Sequence, residues 1–241
     1  MRSVDRAGLR LLLFEGLDVP GLVCAHSTVP VDVRRTAERR RFVAAAGLDP
    51  DRVASAVQVH GANVVRVDAP PKGPVEADGL VTATEGLALL LKAADCSLVA
   101  AADPSRRTLG LCHAGWRGAA AGVVEGLVRA LAREFGSRPG DLIAAVGPTI
   151  GVARYAVGAE VPDAFQRRVP WAHEYAFRIE GALHFDVAAA NARALRECGV
   201  PSVEVSGLCT HERKDLLYSY RRDGKGAGHH GLVAAWTSGS P

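Results

Sequence analysis

Five short runs of mostly apolar residues constrain the fold of this chain more than any other feature of its sequence. They are LALLL (87–91), SLVAAA (97–102), TLGLC (108–112), LIAAV (142–146) and GLVAAW (231–236). None shows the regular alternation of polar and apolar residues that marks a strand with one face in water. We therefore predict strands that are covered on both faces, which requires further layers outside the sheets.

Weaker patterns complete the predicted secondary structure. Three more strands are predicted at 53–59, 63–67 and 203–208, and three helices at 36–47, 119–135 and 187–198. Strands and helices do not alternate strictly, which favours the α+β class (mixed α/β), with layered mixed sheets flanked by helices. We predict a single domain over residues 1–241, in which the Pro- and Gly-rich stretch 68–79 is a surface loop.

Composition excludes several classes of protein. The formal net charge is only +3 and the basic residues are scattered, so no nucleic-acid-binding face is expected. The five cysteines are odd in number and form no CxxC, which predicts a reducing compartment rather than a disulfide framework. The N-terminal apolar run, Leu11 to Phe14, is too short for a signal-peptide core or a membrane span. We therefore expect a cytoplasmic protein without a membrane partner.

Polar residues stand where three of the predicted strands end. His60 closes the first, Asp95 and Cys96 follow the second, and His113 closes the third. Functional side chains collect at such places, because a sheet holds them rigidly beside an open loop. Two histidines and a cysteine can form a three-ligand zinc site with an open fourth position. The spacing also allows Cys96 as a small core residue and the histidines as hydrogen-bonded strand ends.

A second candidate feature is an anion site at HAGWRG (113–118). Gly115 and Gly118 predict a tight turn before a helix, whose free N–H groups beside Arg117 would suit phosphate or carboxylate. The alternative is a simple helix-entry turn.

Two further polar features leave their roles open. The segment SYRRDG (219–224), which contains Arg221, is either another anion-binding turn or an exposed hairpin end. Asn191 falls on the apolar face of the predicted helix 187–198, so its amide is either a structural anchor or a site residue.

Nine segments occur together in an order that is typical of one family. They are QVHG (58–61), ADGLVT (77–82), ADC (94–96), HAGWRG (113–118), GPTIG (147–151), YAVG (155–158), Phe185 and Asp186 with Asn191, CT (209–210) and SYRRDG (219–224). From about Val53 to Trp236 the chain resembles the laccase-domain family, also called YfiH-like or multicopper polyphenol oxidase. The resemblance implies one α/β domain of mixed sheets.

The resemblance also implies a site and an activity. The metal ligands would be His60, Cys96 and His113, holding zinc, and copper could occupy the same site. The implied reactions are phosphorolysis of inosine, guanosine, adenosine and methylthioadenosine, and deamination of adenosine. The partners would then be a purine nucleoside and phosphate.

Further site residues follow from matching the family's motifs to this chain. Arg117, Gly118 and Arg221 would hold phosphate or substrate hydroxyls, and Asn191 is a candidate for the same role. Asp95 would not bind the metal itself but would orient one of its ligands through a hydrogen bond. The chain departs from the family pattern at Thr149, Ala156 and Gly228, where a cysteine, a glutamate and an arginine are usual, which puts phosphate handling and substrate choice in question.

Three other functions stay open at this stage. A multicopper laccase needs about ten histidines in several HxH pairs, whereas this chain has eight histidines and no HxH. A Cys–His amide hydrolase acting on peptidoglycan precursors would use Cys96 as nucleophile and one histidine as base. A non-catalytic binding module would retain the fold without turnover. The sequence leaves a monomer and a homodimer equally open.

Overall fold

A computed structural model describes residues 1–238, which contain fourteen strands and six α-helices. The strands are β1 (Arg2–Arg6), β2 (Leu9–Leu13), β3 (Leu22–Ser27), β4 (Val53–Ser55), β5 (Val64–Arg66), β6 (Gly79–Thr82), β7 (Ala88–Ala93), β8 (Ser97–Asp103), β9 (Thr108–Ala114), β10 (Ile143–Val146), β11 (Ala176–Ile179), β12 (Ala182–Phe185), β13 (Ser202–Val205) and β14 (His230–Trp236). The helices are α1 (Thr36–Ala45), α2 (Trp116–Ala121), α3 (Val123–Phe135), α4 (Glu160–Gln166), α5 (Val187–Glu197) and α6 (Tyr220–Asp223).

Two six-stranded sheets face each other. The first has the order β1-β2-β3-β14-β7-β4, and the second has the order β13-β10-β8-β9-β6-β5. Most neighbouring strands are antiparallel, but β4 with β7, β5 with β6 and β10 with β13 are parallel. A separate hairpin joins β11 and β12. The predicted class, α+β with layered mixed sheets, is confirmed.

The long apolar strands are buried on both faces, as their lack of alternation predicts. Between the sheets, Leu89 and Leu232 of the first sheet share one core with Leu98 and Leu111 of the second. On the outer face of the first sheet, the intervening residues of β7 and β14 pack against α1. On the outer face of the second sheet, α3 and α5 cover β8, β9 and β10. Burial of this apolar surface is the main favourable contribution to folding.

Some predicted boundaries are wrong. The strand expected at 53–59 ends at Ser55, and the chain then turns. The helix expected at 119–135 begins three residues earlier, at Trp116, and is interrupted at Gly122, whose φ of 91° is left-handed. The segment after Ser219 is helical from Tyr220 to Asp223, so it is not a hairpin end. Strands β1, β2, β3, β6, β11 and β12 were not predicted.

The connection between the two sheets places the candidate site. Strand β7 of the first sheet ends at Ala93, and β8 of the second sheet begins at Ser97, so residues 94–96 cross from one sheet to the other. His113 on β9 pairs with Leu98 on β8 and therefore lies beside this crossing. Every helix within residues 1–238 falls short of the length and apolar character that a membrane span requires.

Candidate active site and metal centre

Three side chains that are far apart in the sequence converge at the crossing between the sheets. His60, Cys96 and His113 each present one donor atom, and these atoms all lie within 4.8 Å of one another. The rings of His60 and His113 meet edge to face, with their centroids 4.8 Å apart. We call these three residues the His–Cys–His centre.

The turn that carries His60 is shaped by a carboxylate distant in sequence. His60 does not close a strand, because its φ of 61° is left-handed and it lies in a turn after β4. Asp78 accepts hydrogen bonds from the backbone N–H groups of Val59, His60 and Gly61, at 3.2, 3.0 and 2.6 Å. These three bonds hold a conformation that a non-glycine residue rarely adopts.

The same carboxylate orients a second member of the centre. His113 Nδ1 lies 2.9 Å from Asp78 Oδ1, and both side chains are buried. Burial raises the pKa of Asp78, but the bonds from His113 and the turn outweigh it and leave the pKa below its usual value. Asp78 is therefore ionised, so Nδ1–H donates to it and the other ring nitrogen, Nε2, is free to act as a ligand.

The electrostatics of the centre favour a thiolate. Burial raises the pKa of the Cys96 thiol, but hydrogen bonds with His113 and His60 outweigh it and bring the pKa to about 7. Burial lowers the pKa of His113, but its bonds with Asp78 and Cys96 raise that pKa to about 9. Such a thiolate is both a nucleophile and a metal ligand.

Two glycines make room for the centre. A Cβ atom on Gly115 would lie 2.6 Å from the sulfur of Cys96, and one on Gly118 would lie 2.7 Å from the carbonyl oxygen of Gly61. Gly115 therefore lets the thiol approach, and Gly118 lets α2 pack against the His60 turn. Gly115 is the N-cap of α2 and Gly118 lies inside that helix, so the two glycines do not together form a turn ahead of it, contrary to the expectation. Gly118 is buried and does not line the cavity described below.

The donor set fits a metal ion. A thiolate and two imidazoles are ligands that zinc accepts, and three protein ligands leave a position for a fourth partner. Asp78 supplies the outer hydrogen bond that fixes the ring orientation of metal-ligating histidines. Within residues 1–238, this is the group of three His, Cys, Asp or Glu side chains whose donor atoms converge in this way. The chain can thus hold a metal at His60, Cys96 and His113.

The centre opens into a cavity of about 550 Å³. Its walls are formed by Gln58, His60, Lys92, Ala93, Ala94, Asp95, Cys96, His113, Trp116, Arg117, Tyr155, Tyr220, Arg221 and His229. A second cavity of about 370 Å³ shares Trp116, Tyr155 and Arg221 with it and extends beyond them. The larger cavity has the size of a small-molecule binding site.

Two arginines form one wall of this cavity. The guanidinium of Arg117 lies over the ring of Trp116 at 4.3 Å, and that of Arg221 lies over the ring of Tyr155 at 5.0 Å. Arg221 also donates to the carbonyl of Ala156 at 3.0 Å. In the described part of the chain, neither arginine forms an ion pair with a carboxylate. Their charges are therefore available to an anion. We call Arg117 and Arg221 the arginine wall.

Asp95 supports this wall rather than the metal ligands. Its φ of 98° is left-handed, and its two carboxylate oxygens accept from Thr210 Oγ1 at 2.5 Å and from the backbone N–H of Arg221 at 2.6 Å. The expectation that Asp95 orients a ligand is therefore wrong, because Asp78 has that position. Sequence reasoning missed Asp78, although it stands in the ADGLVT segment.

The neighbouring arginine, Arg222, has a structural position. Its guanidinium donates to the carbonyls of Thr210, His211 and Leu217 at 2.9–3.0 Å, which ties down the loop before α6. Only Arg221 of the pair reaches the cavity.

Asn191 lies next to the His–Cys–His centre and bonds the residues that follow Cys96 and His113 in the chain. Its amide is buried and donates to the carbonyl of Ala114 at 3.0 Å and to Ser97 Oγ at 3.1 Å. Ser97 in turn bonds Thr149, one of the positions that departs from the family pattern. Asn191 does not line the cavity. Its placement fits the structural anchor and not direct contact with a substrate.

The chain combines a mixed α+β fold with a His–Cys–His centre, which we call the floor of the cavity, and with two arginines in the cavity wall. These features define a class of metal-binding domain, and comparison with known proteins gives its family. Residues 29–237 match the family described as multi-copper polyphenol oxidoreductase laccase. The chain belongs to this family, as its motifs predict.

Relatives in the family have been given enzyme names. A purine nucleoside phosphorylase of Deinococcus radiodurans is 42% identical over 193 residues, which are 80% of this chain and 74% of the relative. Purine nucleoside phosphorylase SCO2081 of Streptomyces coelicolor is 40% identical, over 78% of this chain and 77% of the relative. Purine nucleoside phosphorylase YfiH of Shigella flexneri is 32% identical, over 77% of this chain and 75% of the relative.

Solved structures share the fold. YlmD from Geobacillus stearothermophilus superposes with a TM-score of 0.83 at 26% identity, over 97% of this chain and 96% of that one. Protein NMB0706 of Neisseria meningitidis also gives a TM-score of 0.83, at 27% identity, over 95% of this chain and 99% of that one.

Proposed function

We propose that this chain is a purine nucleoside phosphorylase. The names of its relatives support this function. One observation about the chain itself carries it: Arg117 and Arg221, which have no carboxylate partner within residues 1–238, share a cavity with the His–Cys–His centre. A phosphorylase must bind an anion beside its nucleoside, and an arginine guanidinium matches phosphate in charge and in hydrogen-bond geometry.

The finer proposal for the cofactor is zinc, held by His60, Cys96 and His113. When bound, zinc supplies a Lewis acid at the floor of the cavity. Copper is the second candidate, because a thiolate with two imidazoles also suits copper, which generally binds such sites more tightly than zinc. Asp78 would keep both histidines in the ligating orientation whichever metal is present.

The chain's own residues would position the reaction. Arg117 and Arg221 would hold hydrogen phosphate, while the rings of Trp116 and Tyr155 limit the movement of the two guanidinium groups. A phosphate oxygen then bonds to C1′ of the ribose, and the bond from C1′ to N9 breaks with its electron pair left on the purine. The proton of hydrogen phosphate ends on the purine, so the products are ribose 1-phosphate and the free base.

We propose two further activities for the same cavity, namely deamination of adenosine and phosphorolysis of other purine nucleosides. Adenosine deamination would be detected as ammonia released from adenosine. Guanosine, adenosine and methylthioadenosine are the further nucleosides to assay for phosphorolysis. The multicopper oxidase reading is less well supported, because a chain of copper centres needs several ligand clusters and residues 1–238 provide one converging group.

The thiol ligand has a consequence for the cellular compartment in which the protein can hold its metal. All five cysteines are free thiols in the structure, and Cys96 must stay reduced to act as a ligand. We therefore place the protein in the reducing cytoplasm as part of this proposal.

The test is release of hypoxanthine from inosine by zinc-loaded protein, with and without phosphate. We expect release that depends on phosphate, that Cys96→Ala abolishes together with bound zinc, and that Cys198→Ala preserves. Cys198 is the matched control, because it is a half-buried free thiol on the far end of α5. A Cys96→Ala protein with full activity would contradict the role of the centre.

A further inference from the structure

A groove of about 490 Å³ follows helix α5 along most of its length. One wall is the face of α5 that carries Ala188, Ala192 and Arg196, and the other is the chain from Val205 to Cys209, at and beyond the end of β13. We call this feature the α5–β13 groove. In the described part of the chain, it shares no lining residue with the cavity of the His–Cys–His centre or with the smaller cavity beside it. A ligand bound in the groove would therefore leave both cavities open.

The strand wall of this groove is an unpaired sheet edge. Among the described strands, β13 is the last in the order of the second sheet and pairs with β10 alone. The N–H of Ser206 donates to the carbonyl of Val146 at 3.0 Å, so the N–H and C=O of the preceding residue, Val205, point away from β10. The side chain of Val205 is 39% exposed. The edge thus presents unbonded backbone groups beside an apolar side chain.

The chain continues this edge beyond β13. The N–H of Thr149 donates to the carbonyl of Leu208 at 3.2 Å, so the segment still lies along the chain that follows β10. Gly207, just before Leu208, is exposed, and its backbone groups form no hydrogen bond within residues 1–238. An edge of this kind is where an extended peptide can add itself as a further strand, because the peptide satisfies the free backbone groups.

The two ends of the groove carry opposite charges. Arg196 lies in the last turn of α5, is exposed and forms no ion pair with a carboxylate within residues 1–238. Asp186 lies at the other end, where it caps α5 by accepting from the N–H of Ala189 at 2.9 Å. The helix rises about 12 Å from Ala188 to Arg196. That is the length of about four residues of extended chain.

These charges favour one direction for a bound peptide. Strand β13 begins at Ser202, shortly after α5 ends at Glu197, and runs back along the helix, so Arg196 lies near the start of β13. A peptide with an acidic group near its C-terminal end, placed at Arg196, would run antiparallel to β13. Antiparallel pairing is the more stable of the two arrangements. The amino end of the peptide would then lie near Asp186.

We propose that the α5–β13 groove binds an extended peptide that pairs with the edge at Val205 and places an acidic side chain against Arg196. This inference goes beyond the proposed catalytic function and does not depend on it. A second copy of the chain is a poorer occupant. The acidic residue of its own β13, Glu204, already accepts from the N–H of Gly16 at 2.7 Å and is not available to Arg196.

The first test selects random heptapeptides on the immobilised full chain, in parallel on the wild type and on Arg196→Glu. The wild type should enrich peptides with alternating β-branched residues and an Asp or Glu at one position near the C-terminal end. Arg196→Glu should enrich Lys or Arg there instead. Arg133→Glu is the matched control, because Arg133 stands in the last turn of α3 as Arg196 does in α5. No enrichment by the wild type, or the same peptides from Arg196→Glu, would overturn the inference.

A second test locates the bound peptide. The most enriched heptapeptide is labelled with fluorescein, and its affinity is measured by anisotropy. Val205→Pro removes the N–H that faces the groove and should weaken binding about tenfold. Proline is tolerated at a sheet edge, and denaturant unfolding verifies that the variant is folded. Val205→Thr keeps the N–H and should bind like the wild type. Equal affinity of the Pro and Thr variants, or displacement of the peptide by inosine, would contradict the assignment to this groove.

Sedimentation velocity decides between a peptide and a second copy. We expect the same sedimentation coefficient for the wild type and Val205→Pro, since the edge is open in the absence of a peptide. A wild-type dimer that Val205→Pro converts to a monomer would assign the edge to a second copy of the chain and overturn the proposal.

Discussion

The floor and the arginine wall of the cavity are built in different ways. At the floor, the buried carboxylate of Asp78 holds two members of the His–Cys–His centre through hydrogen bonds. At the wall, Arg117 and Arg221 are exposed side chains that lie over aromatic rings. The metal ligands are held by buried hydrogen bonds, whereas the two guanidinium groups are held by ring contacts at the surface. A change at the floor should therefore abolish function, and a change at the wall should tune it.

The departures from the family pattern fit this difference, because none of them alters the floor. Thr149 bonds to Ser97 Oγ and to the carbonyl of Gly147. Ala156 meets Arg221 through its backbone carbonyl, which any residue would supply. A Cβ on Gly228 would lie 2.5 Å from the ring of Tyr218, so a larger residue there requires that ring to move. Of the three positions, Ala156 is the one that contacts the arginine wall.

The largest effect is expected from Gly115→Ala. The new Cβ would lie 2.6 Å from the Cys96 sulfur and displace the thiol from its two histidines. We expect at least about a 100-fold loss of zinc affinity, with activity lost in parallel. Zinc titration against a chelator measures it. Gly140→Ala is the control, because no atom lies within 4 Å of the added Cβ, and equal zinc binding by the two variants would break the comparison.

Asp78→Asn should weaken the floor without removing a ligand. The amide cannot accept from His113 and the three turn N–H groups as the carboxylate does, so the two histidines lose their fixed orientation. We expect zinc affinity to fall about 10–100-fold. Asp68→Asn, on an exposed carboxylate, should leave affinity unchanged. Unaltered zinc binding in Asp78→Asn would mean that the centre does not depend on this carboxylate.

Zinc binding should weaken as the pH falls. The metal binds the thiolate and neutral imidazoles, whereas the pKa is about 7 for Cys96 and about 9 for His113 in the metal-free protein. Protons therefore compete with zinc, and below pH 7 the apparent affinity should drop by at least about tenfold per pH unit. Chelator competition at pH 6, 7 and 8 measures the slope. An affinity that stays constant over this range would contradict a thiolate ligand.

The smallest effect is expected at the wall. Arg221→Met should raise KM for phosphate about tenfold and leave bound zinc intact, because its backbone N–H still bonds Asp95. Arg222→Met should instead lower the free energy of unfolding by about 1–3 kcal/mol, since it removes bonds to three carbonyls. Steady-state kinetics and denaturant unfolding separate the two arginines, and a shared phenotype would remove the distinction between them.

The sequence predicts those parts of this molecule whose signal is local. The apolar runs at β7, β8, β9 and β14 identify buried strands, and the family motifs bring His60, Cys96 and His113 to attention. The conformation at His60 could not be predicted, because it depends on bonds to Asp78, 18 positions away. The interruption at Gly122 was missed because the apolar pattern of the helix continues after it.

Two residues left signals in the sequence that pattern analysis did not use. Lys92 is a charged residue inside an otherwise apolar strand, LALLLKA, and it lines the cavity. Asp78 lies fully buried between Ala77 and Gly79 in a quoted motif. Both positions make sense only when the sheets are assembled, since their partners come from other strands and turns.

The most direct test of the central claim is the identity of the sugar product. Zinc-loaded protein is incubated with inosine and phosphate, and the mixture is followed by phosphorus NMR. We predict ribose 1-phosphate in the same amount as hypoxanthine, and its loss in Cys96→Ala. Free ribose formed without consumption of phosphate would identify a hydrolase and contradict the proposed function of the arginine wall.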